Sequence, residues 1–219
     1  MNELASFGCL SRRASRADPA SRRRARVGTR PPSLEPGERV VQEDGLVHAA
    51  GTDGPIWRVE CGFVRLDLPS AKGDHFAGLA LPGDPLGLES LVAGRYLLRA
   101  TAITQVRLLP WDRPAEGDAC REAAAIAMHA SLQATQLFAI RSGKPMDRVR
   151  GLLIYLAGEC GADRVGTLPI PQLRHLADIT DLAIETVSRC VAELSRHGAI
   201  RRTGRSAIEL DLEALAAAR

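Results

Sequence analysis

The chain has 219 residues, 45% of them hydrophobic, so it is long enough to bury a sizeable core in one domain or two small ones. It contains no apolar run of about 18 residues and no apolar segment before a cleavage site near its start, which argues against a membrane span or a secretory signal and favours the cytoplasm. Its five cysteines are scattered without C-x-x-C spacing, a pattern typical of reduced thiols and not of disulfides or a zinc site.

The net charge of +3 is unevenly distributed. Residues 1–30 carry eight arginines against two acidic residues, a local charge of +6, and the stretch from Ser11 to Pro36 has almost no large apolar side chain. Ordering such a segment costs more entropy than its burial returns. We therefore expect residues 1–34 to form a mobile basic arm, which is either a solvated tail or a contact to phosphates.

Residues 35–114 contain short apolar or alternating segments that are interrupted by Gly, Pro and Asp. In "IWRVECGFVRLDLP" the alternation breaks at Gly62 and then resumes, and Pro82–Asp84 has the composition of a turn. Many short strands of this kind predict an antiparallel sandwich or barrel.

Residues 115–142 predict one long helix, because no proline interrupts them after the start and the only glycine is at the beginning. Its apolar residues form two stripes, more than one neighbour requires. A helix that packs on its own domain with one side and on a second copy with the other explains them; a helix buried between two domains of a monomer is the alternative. The side chains expected to contribute to dimerisation are Ile126, Met128, Leu132, Leu137 and Ile140.

Residues 143–219 predict three helices and a hairpin. The first helix has apolar residues at helical spacing and a glycine, Gly158 or Gly161, near its end. Two helices joined by a short turn follow, and their expected buried positions repeat every three or four residues. These positions are Leu173, Leu176 and Ala177 in one helix and Ile184, Val187, Val191 and Leu194 in the other.

The opposite side of the last of these helices carries polar residues that burial does not require. Arg189 can donate two hydrogen bonds to guanine, Glu185 can accept from cytosine, and Ser188 can bind a base or a phosphate. The alternative is a solvated face with an ordinary Glu185–Arg189 pair. A basic hairpin downstream favours DNA. The residues expected to contact phosphate are Thr186, Arg196, Arg201, Arg202 and Arg205.

The stretch "LPIPQLRHLADITDLAIETVSRCVAELSRHGAIRRTGRSAIELDLEAL" resembles the winged helix-turn-helix of the Crp/Fnr superfamily of bacterial transcription regulators, whose recognition helix commonly reads E-T-V-S-R. "EPGERVVQEDG", "WRVECGFVRL" and "LALPGDPLGLESL" resemble strands of that family's cyclic-nucleotide-binding-type jelly roll. The resemblance implies an α+β fold with an antiparallel jelly roll at 35–114, a dimerisation helix at 115–142 and a winged helix-turn-helix DNA-binding domain at 143–219.

By this resemblance Glu185, Ser188 and Arg189 correspond to the base-reading residues of the Fnr-type subgroup, whose half-sites resemble TTGAT. Asp181 stands where many members have the turn glycine, and aspartate tolerates the left-handed conformation. The resemblance also implies a homodimer on double-stranded DNA, without an enzymatic role. RNA polymerase is a further partner if the protein activates transcription.

The sequence does not contain the residues that bind the family's usual effectors. Cyclic AMP requires a Gly-Glu pair and an Arg-Ser or Arg-Thr pair, whereas Gly87 is followed by Leu88 and Arg95 reads as a surface arginine. An Fnr-type iron–sulfur cluster requires several closely spaced N-terminal cysteines, and only Cys9 lies in the arm, with Cys61 in the jelly roll. Cys190 either fills a helix interface or blocks DNA binding when oxidised.

Two other classes of function are compatible with parts of this pattern. The first is a ligand-binding signalling module whose winged helix contacts protein instead of DNA, which a weak dependence of binding on salt would indicate. The second is an enzyme using Asp118, Cys120 and His129. Their spacing on one helix does not direct a base at a nucleophile. We therefore expect a DNA-binding regulator whose effector the sequence does not identify.

Overall fold

The computed structural model describes residues 37–111, 119–161, 165–204 and 207–217. The N-terminal half is built of antiparallel strands, as predicted. Strands β1 to β8 and a short helix α1 form it: β1 Arg39–Val41, β2 Leu46–His48, β3 Trp57–Cys61, β4 Val64–Leu68, β5 His75–Ala80, β6 Pro85–Leu86, α1 Ser90–Ala93, β7 Arg99–Ala102 and β8 Val106–Pro110. They make two four-stranded sheets, β1-β8-β3-β6 and β2-β7-β4-β5. The arm, residues 1–34, lies outside the described residues.

The two sheets pack face to face around a core that the alternating sequence supplies. Val59 and Val64 are fully buried, one from each sheet, whereas Arg58 and Glu60 on either side of Val59 are exposed. Gly62 joins β3 to β4 with φ of +84°, and a Cβ there would lie 2.2 Å from the carbonyl oxygen of Gln105. The predicted break at Gly62 is therefore required by both conformation and space.

Helix α2 spans Ala119–Ile140 and connects the two halves of the chain. Leu137 is buried in the core of its own chain, and Ile126 and Ile140 are partly covered. Met128 and Leu132 lie on the opposite side and are exposed. The two predicted stripes therefore differ in part: one is buried within the chain at Leu137, whereas the other is open at Met128 and Leu132.

The C-terminal half contains the predicted helices and hairpin, together with a strand and a short helix that the sequence did not predict. The elements are α3 Pro145–Glu159, β9 Val165–Pro169, α4 Leu173–Thr180, α5 Ile184–Arg196, β10 Ile200–Arg202, β11 Ala207–Asp211 and α6 Leu212–Ala217. The unpredicted elements are β9 and α6, and β9 joins the hairpin in a three-stranded sheet of order β10-β11-β9.

The turn between α4 and α5 has the expected left-handed residue. Asp181 has φ of +55° and ψ of +53°, and its backbone N–H caps α4 by donating to the carbonyl oxygen of Ala177. Val187 and Leu194 of α5 are fully buried, as predicted. The prediction for Ile184 was wrong: it is 43% exposed and lines an open groove beside Leu173 of α4.

A continuous core links the two halves. Phe63, Leu79 and Leu81 of the jelly roll belong to the same buried cluster as Leu153 and Leu156 of α3. A second cluster lies wholly between the two jelly-roll sheets. The position of the winged helix is therefore set by packing against the jelly roll, in addition to the chain connection through α2.

Candidate nucleic-acid interface

Helix α5 separates its buried and exposed residues sharply. Val187, Cys190 and Leu194 lie against α3 and α4, whereas Glu185, Ser188, Arg189, Ala192 and Arg196 are exposed on the other side. We call this exposed set the recognition face. Because its polar residues begin in the first turn of the helix, they lie at the end that enters a major groove first.

The Arg189 guanidinium is available for a bidentate contact. Its Nε donates a hydrogen bond to the backbone carbonyl oxygen of Glu185 at 3.3 Å and not to the Glu185 carboxylate. Within the described part of the chain, no ion pair joins these two side chains. The simple i,i+4 pair that was the alternative to DNA binding is therefore not formed, and both groups face outward.

A shallow groove runs along the start of the recognition face. It is lined by Leu173 of α4 together with Ile184, Glu185, Ser188 and Arg189 of α5. The first residue of α4 therefore lies beside the residues predicted to read bases. Sequence reasoning placed Leu173 and Ile184 in the core and did not identify them as part of this surface.

The hairpin β10–β11 carries the predicted basic residues, which we call the wing. Arg201 forms an ion pair with Glu209 on the neighbouring strand, with Nε 3.1 Å from Oε2. Arg202 is exposed, and Arg205 lies outside the described residues. Thr186 is partly exposed in the first turn of α5, near the positive end of the helix.

The open side of α2 is apolar. Met128 is 57% exposed and Leu132 is 40% exposed, and Phe138, which was not predicted to take part, is exposed near the end of the helix. We call Met128, Leu132 and Phe138 the outer face of α2. In the described residues one stretch, Cys120–Ile140, has the length and composition that could cross a membrane, although such a helix in isolation is weak support for a span.

A buried carboxylate connects α2 to the jelly roll. Asp84, in the turn before β6, accepts hydrogen bonds from the backbone N–H of Leu81 at 2.8 Å and from Gln133 Nε2 at 2.7 Å. His129 Nδ1 lies 3.3 Å from its other oxygen. Burial raises the pKa of Asp84, and these three partners offset part of that rise. The described partner of His129 is therefore Asp84, in a contact that joins α2 to the jelly roll.

The Tyr96 side chain packs directly against Gly87 in the jelly roll. A Cβ on Gly87 would lie 2.6 Å from the Tyr96 ring, which stacks on His48 with centroids 3.8 Å apart. The Tyr96 hydroxyl donates to the carbonyl oxygen of Pro55 at 2.7 Å. The space beside this turn is therefore filled by the chain itself. Tyr96 was not identified from the sequence, because only the fold brings it against Gly87, and Arg95 is exposed as expected.

The described cysteines differ in environment. Cys190 is 7% exposed within the core of the winged helix, and burial raises the pKa of its thiol. A thiol with a raised pKa is a poor nucleophile, which supports the packing role over a redox role. Cys61 is exposed, and Cys9 lies outside the described residues. Over the described ranges, no group of three or more His, Cys, Asp or Glu side chains is arranged to hold a metal ion.

Comparison with known proteins places this geometry among DNA-binding regulators. Residues 147–218 match the Crp-like helix-turn-helix domain. The chain is 30% identical over 206 residues to the nitrogen fixation regulation protein FixK of Bradyrhizobium diazoefficiens, covering 83% of this chain and 80% of that protein. It is 28% identical to FixK of Rhizobium meliloti, covering 77% and 76% respectively. Among solved structures, FixK2 of Bradyrhizobium japonicum superposes with a TM-score of 0.62 at 25% identity, covering 82% of this chain and 95% of that one.

Proposed function

Because this chain belongs to the Crp/Fnr superfamily of transcription regulators, we propose that it binds DNA as a homodimer and reads TTGAT-like half-sites with the recognition face of α5. The family consists of DNA-binding regulators and not of enzymes. In this proposal Arg189 and Glu185 contact base edges, and Ser188 contacts a base or a phosphate. The protein acts in the cytoplasm, and RNA polymerase is a further partner if it activates transcription.

One observation carries the DNA-reading role. Arg189 and Glu185 are exposed in the first turns of α5 and are not paired with each other through their side chains. A solvated helix surface gains a few tenths of a kcal/mol from an i,i+4 ion pair. Here that pair is absent, and both groups keep their hydrogen-bonding capacity for an external partner.

The wing and the helix ends supply the backbone contacts in this proposal. Thr186 lies at the start of α5 and Arg196 at its end, and Arg202 lies on the exposed wing. Phosphate contacts of this kind fix the register of the helix in the groove but do not select a sequence. Arg201 is partly neutralised by Glu209, so we expect Arg202 to contribute more to phosphate binding.

The outer face of α2 supports the homodimer. Three large apolar side chains are exposed on a helix that is buried within its own chain only at Leu137, among the residues the structure describes. A second copy placed against this face by two-fold symmetry buries these side chains and sets two recognition helices side by side. Half-sites about one helical turn apart, about 34 Å, follow from that symmetry.

The direct test measures binding of the purified protein to a duplex with two TTGAT-like half-sites and to a scrambled duplex of equal length. Fluorescence anisotropy at several salt concentrations gives both affinity and salt dependence. We expect the symmetric duplex to bind about 1,000-fold or more tightly, with an affinity that falls steeply as salt rises. Equal affinity for both duplexes would refute sequence-specific reading, and binding that is insensitive to salt would indicate a winged helix that contacts protein.

A further inference from the structure

An aspartate of the jelly roll contacts the first turn of α4. Asp44 lies in the turn between β1 and β2 with φ of +65°, and its Oδ2 accepts a hydrogen bond from Gln172 Nε2 at 3.1 Å. His175 Nε2 lies 2.9 Å from Oδ1, and Arg174 forms an ion pair with Oδ2. Three side chains of the DNA-binding domain therefore converge on one carboxylate of the other domain.

The Asp44 carboxylate is ionised and lies at a position where its surroundings attract negative charge. Burial raises the pKa of Asp44, but hydrogen bonds from His175 and Arg174 outweigh it and hold the pKa below its usual value. Asp44 is therefore ionised at neutral pH. The positive end of the α4 dipole and the Arg174 guanidinium attract any anion at this place, including a phosphate.

The same turn of α4 lies on the side of the molecule that is proposed to face DNA. Leu173 lies between Gln172 and Arg174 and lines the groove that also contains Ser188 and Arg189. In a helix-turn-helix the first helix crosses the DNA backbone while the second enters the major groove. The start of α4 is therefore the part of this helix expected to approach a phosphate when α5 is in the groove.

The other end of α4 is also held. Arg65 of β4 forms an ion pair with Asp178, and Arg141, at the end of α2, donates from Nε to the carbonyl oxygen of Ile179 at 2.9 Å. The Arg141 guanidinium also lies 4.7 Å from the centre of the Phe76 ring of β5. Both ends of α4 are thus held by contacts to the jelly roll or to the end of α2.

We infer that Gln172, Arg174 and His175 bind a DNA phosphate in the complex, and that Asp44 occupies this phosphate position in the conformation described here. Asp44 is then an autoinhibitory contact: the jelly roll and DNA compete for one anion site at the start of α4. The inference rests on the proposed function, because it concerns regulation of the same DNA interface. Only molecules in which the Asp44 contact is open can bind DNA at this site, so the apparent affinity falls in proportion to their fraction.

The test compares Asp44→Ala with the wild type on the symmetric duplex at fixed salt. Removing the competing anion is expected to raise affinity about 3- to 10-fold. Asp74→Ala is the matched control, since it removes the same charge from a jelly-roll aspartate that pairs with Arg99 at 3.2 Å within its own domain. We expect the control to change affinity less than about twofold by general electrostatics. Asp44→Asn, which keeps the shape of the side chain, is expected to act in the same direction.

A second variant tests the phosphate role of Arg174 independently. Arg174→Ala removes the phosphate contact in every background but also weakens the hold of Asp44 in the wild type. We therefore expect it to reduce affinity more in the Asp44→Ala background than in the wild type, a coupling that a double-mutant cycle measures. Equal losses in the two backgrounds would show that Asp44 and the DNA do not share this site.

The outcomes separate this inference from the proposed function. If the wild type binds the symmetric duplex specifically and both Asp44 variants, folded as judged by circular dichroism, bind equally or more weakly, the autoinhibitory role is refuted and DNA reading stands. If neither the wild type nor the Asp44 variants prefer the symmetric duplex, the proposed function itself fails. Binding that appears only in the Asp44 variants supports both.

Discussion

The recognition face of α5 and the outer face of α2 are both exposed in a single chain, yet they differ in chemistry. The first presents Glu185, Ser188 and Arg189, whose hydrogen-bonding groups point to solvent, and the second presents Met128 and Leu132, which have none to offer. A polar face with an unpaired arginine suits base-pair edges, whereas an apolar face suits a second apolar surface. The chemistry of the exposed atoms, and not their exposure alone, therefore indicates the kind of partner.

The largest expected effect comes from the apolar face. Leu132→Asp places a charge where the second copy packs, so we expect the dimer to dissociate and affinity for the symmetric duplex to fall about 100-fold, because two linked half-site contacts become one. Analytical ultracentrifugation and anisotropy measure the two effects. Leu68→Asp, at an exposed leucine at the end of β4, is the control and should leave both unchanged. A wild type that is monomeric at micromolar concentration would contradict the proposed role of this face.

The polar face is tested by Arg189→Ala. We expect it to weaken specific binding by about 1–3 kcal/mol and to relax base choice at one position of each half-site, since a bidentate contact to guanine is lost. Arg95→Ala removes the same charge from an exposed position on the jelly roll and serves as the control. If both variants lose the same affinity on every duplex, Arg189 contributes charge and does not read bases.

A smaller effect is expected at the wing. Arg202→Ala should weaken binding to all duplexes about equally and lower the salt dependence by about one counterion, as expected for a phosphate contact. Arg201→Ala should change both quantities less, because Glu209 already neutralises that arginine. Comparing the two variants in a salt titration therefore tests whether Arg202 is the main phosphate contact of the wing. A larger effect of Arg201→Ala would assign that role to Arg201 instead.

The smallest effect is expected in the core behind the recognition face. Cys190→Ala should leave DNA affinity within about twofold and lower the free energy of unfolding by about 1 kcal/mol, because the side chain fills space and does not touch DNA. Treatment with hydrogen peroxide should likewise leave wild-type binding unchanged at low doses, since burial raises the thiol pKa. Loss of binding that Cys190→Ala prevents would instead establish a redox role.

The features that the sequence predicts well are local. The division of α5 into a buried and an exposed side follows from spacing within a few residues, and the turn at Asp181 is what the family resemblance implies. The antiparallel strands of residues 35–114 follow from alternation and turn residues in the same way, whereas their jelly-roll arrangement is what the family resemblance implies. Ile184 is the exception, since its exposure depends on how the start of α4 lies beside it, which the spacing within α5 does not encode.

The features that the sequence misses depend on distant parts of the chain. Strand β9 is stabilised by pairing with β11 about 40 residues later, and Tyr96 is held against Gly87 by contacts with His48 and Pro55, which come more than 40 residues earlier in the chain. Asp44 meets Arg174 across 130 positions of sequence, in contact between two domains. No local pattern marks such residues, because their neighbours come from tertiary packing and not from spacing.

Selection of bound sequences from a pool of random duplexes tests the DNA-reading role of α5 most directly. We predict enrichment of two-fold symmetric sequences with TTGAT-like half-sites whose centres are about 10 base pairs apart, and loss of preference at one position of each half-site when Arg189 is replaced by alanine. Recovery of no preferred sequence, or of the same preferred sequence with Arg189→Ala, would contradict it.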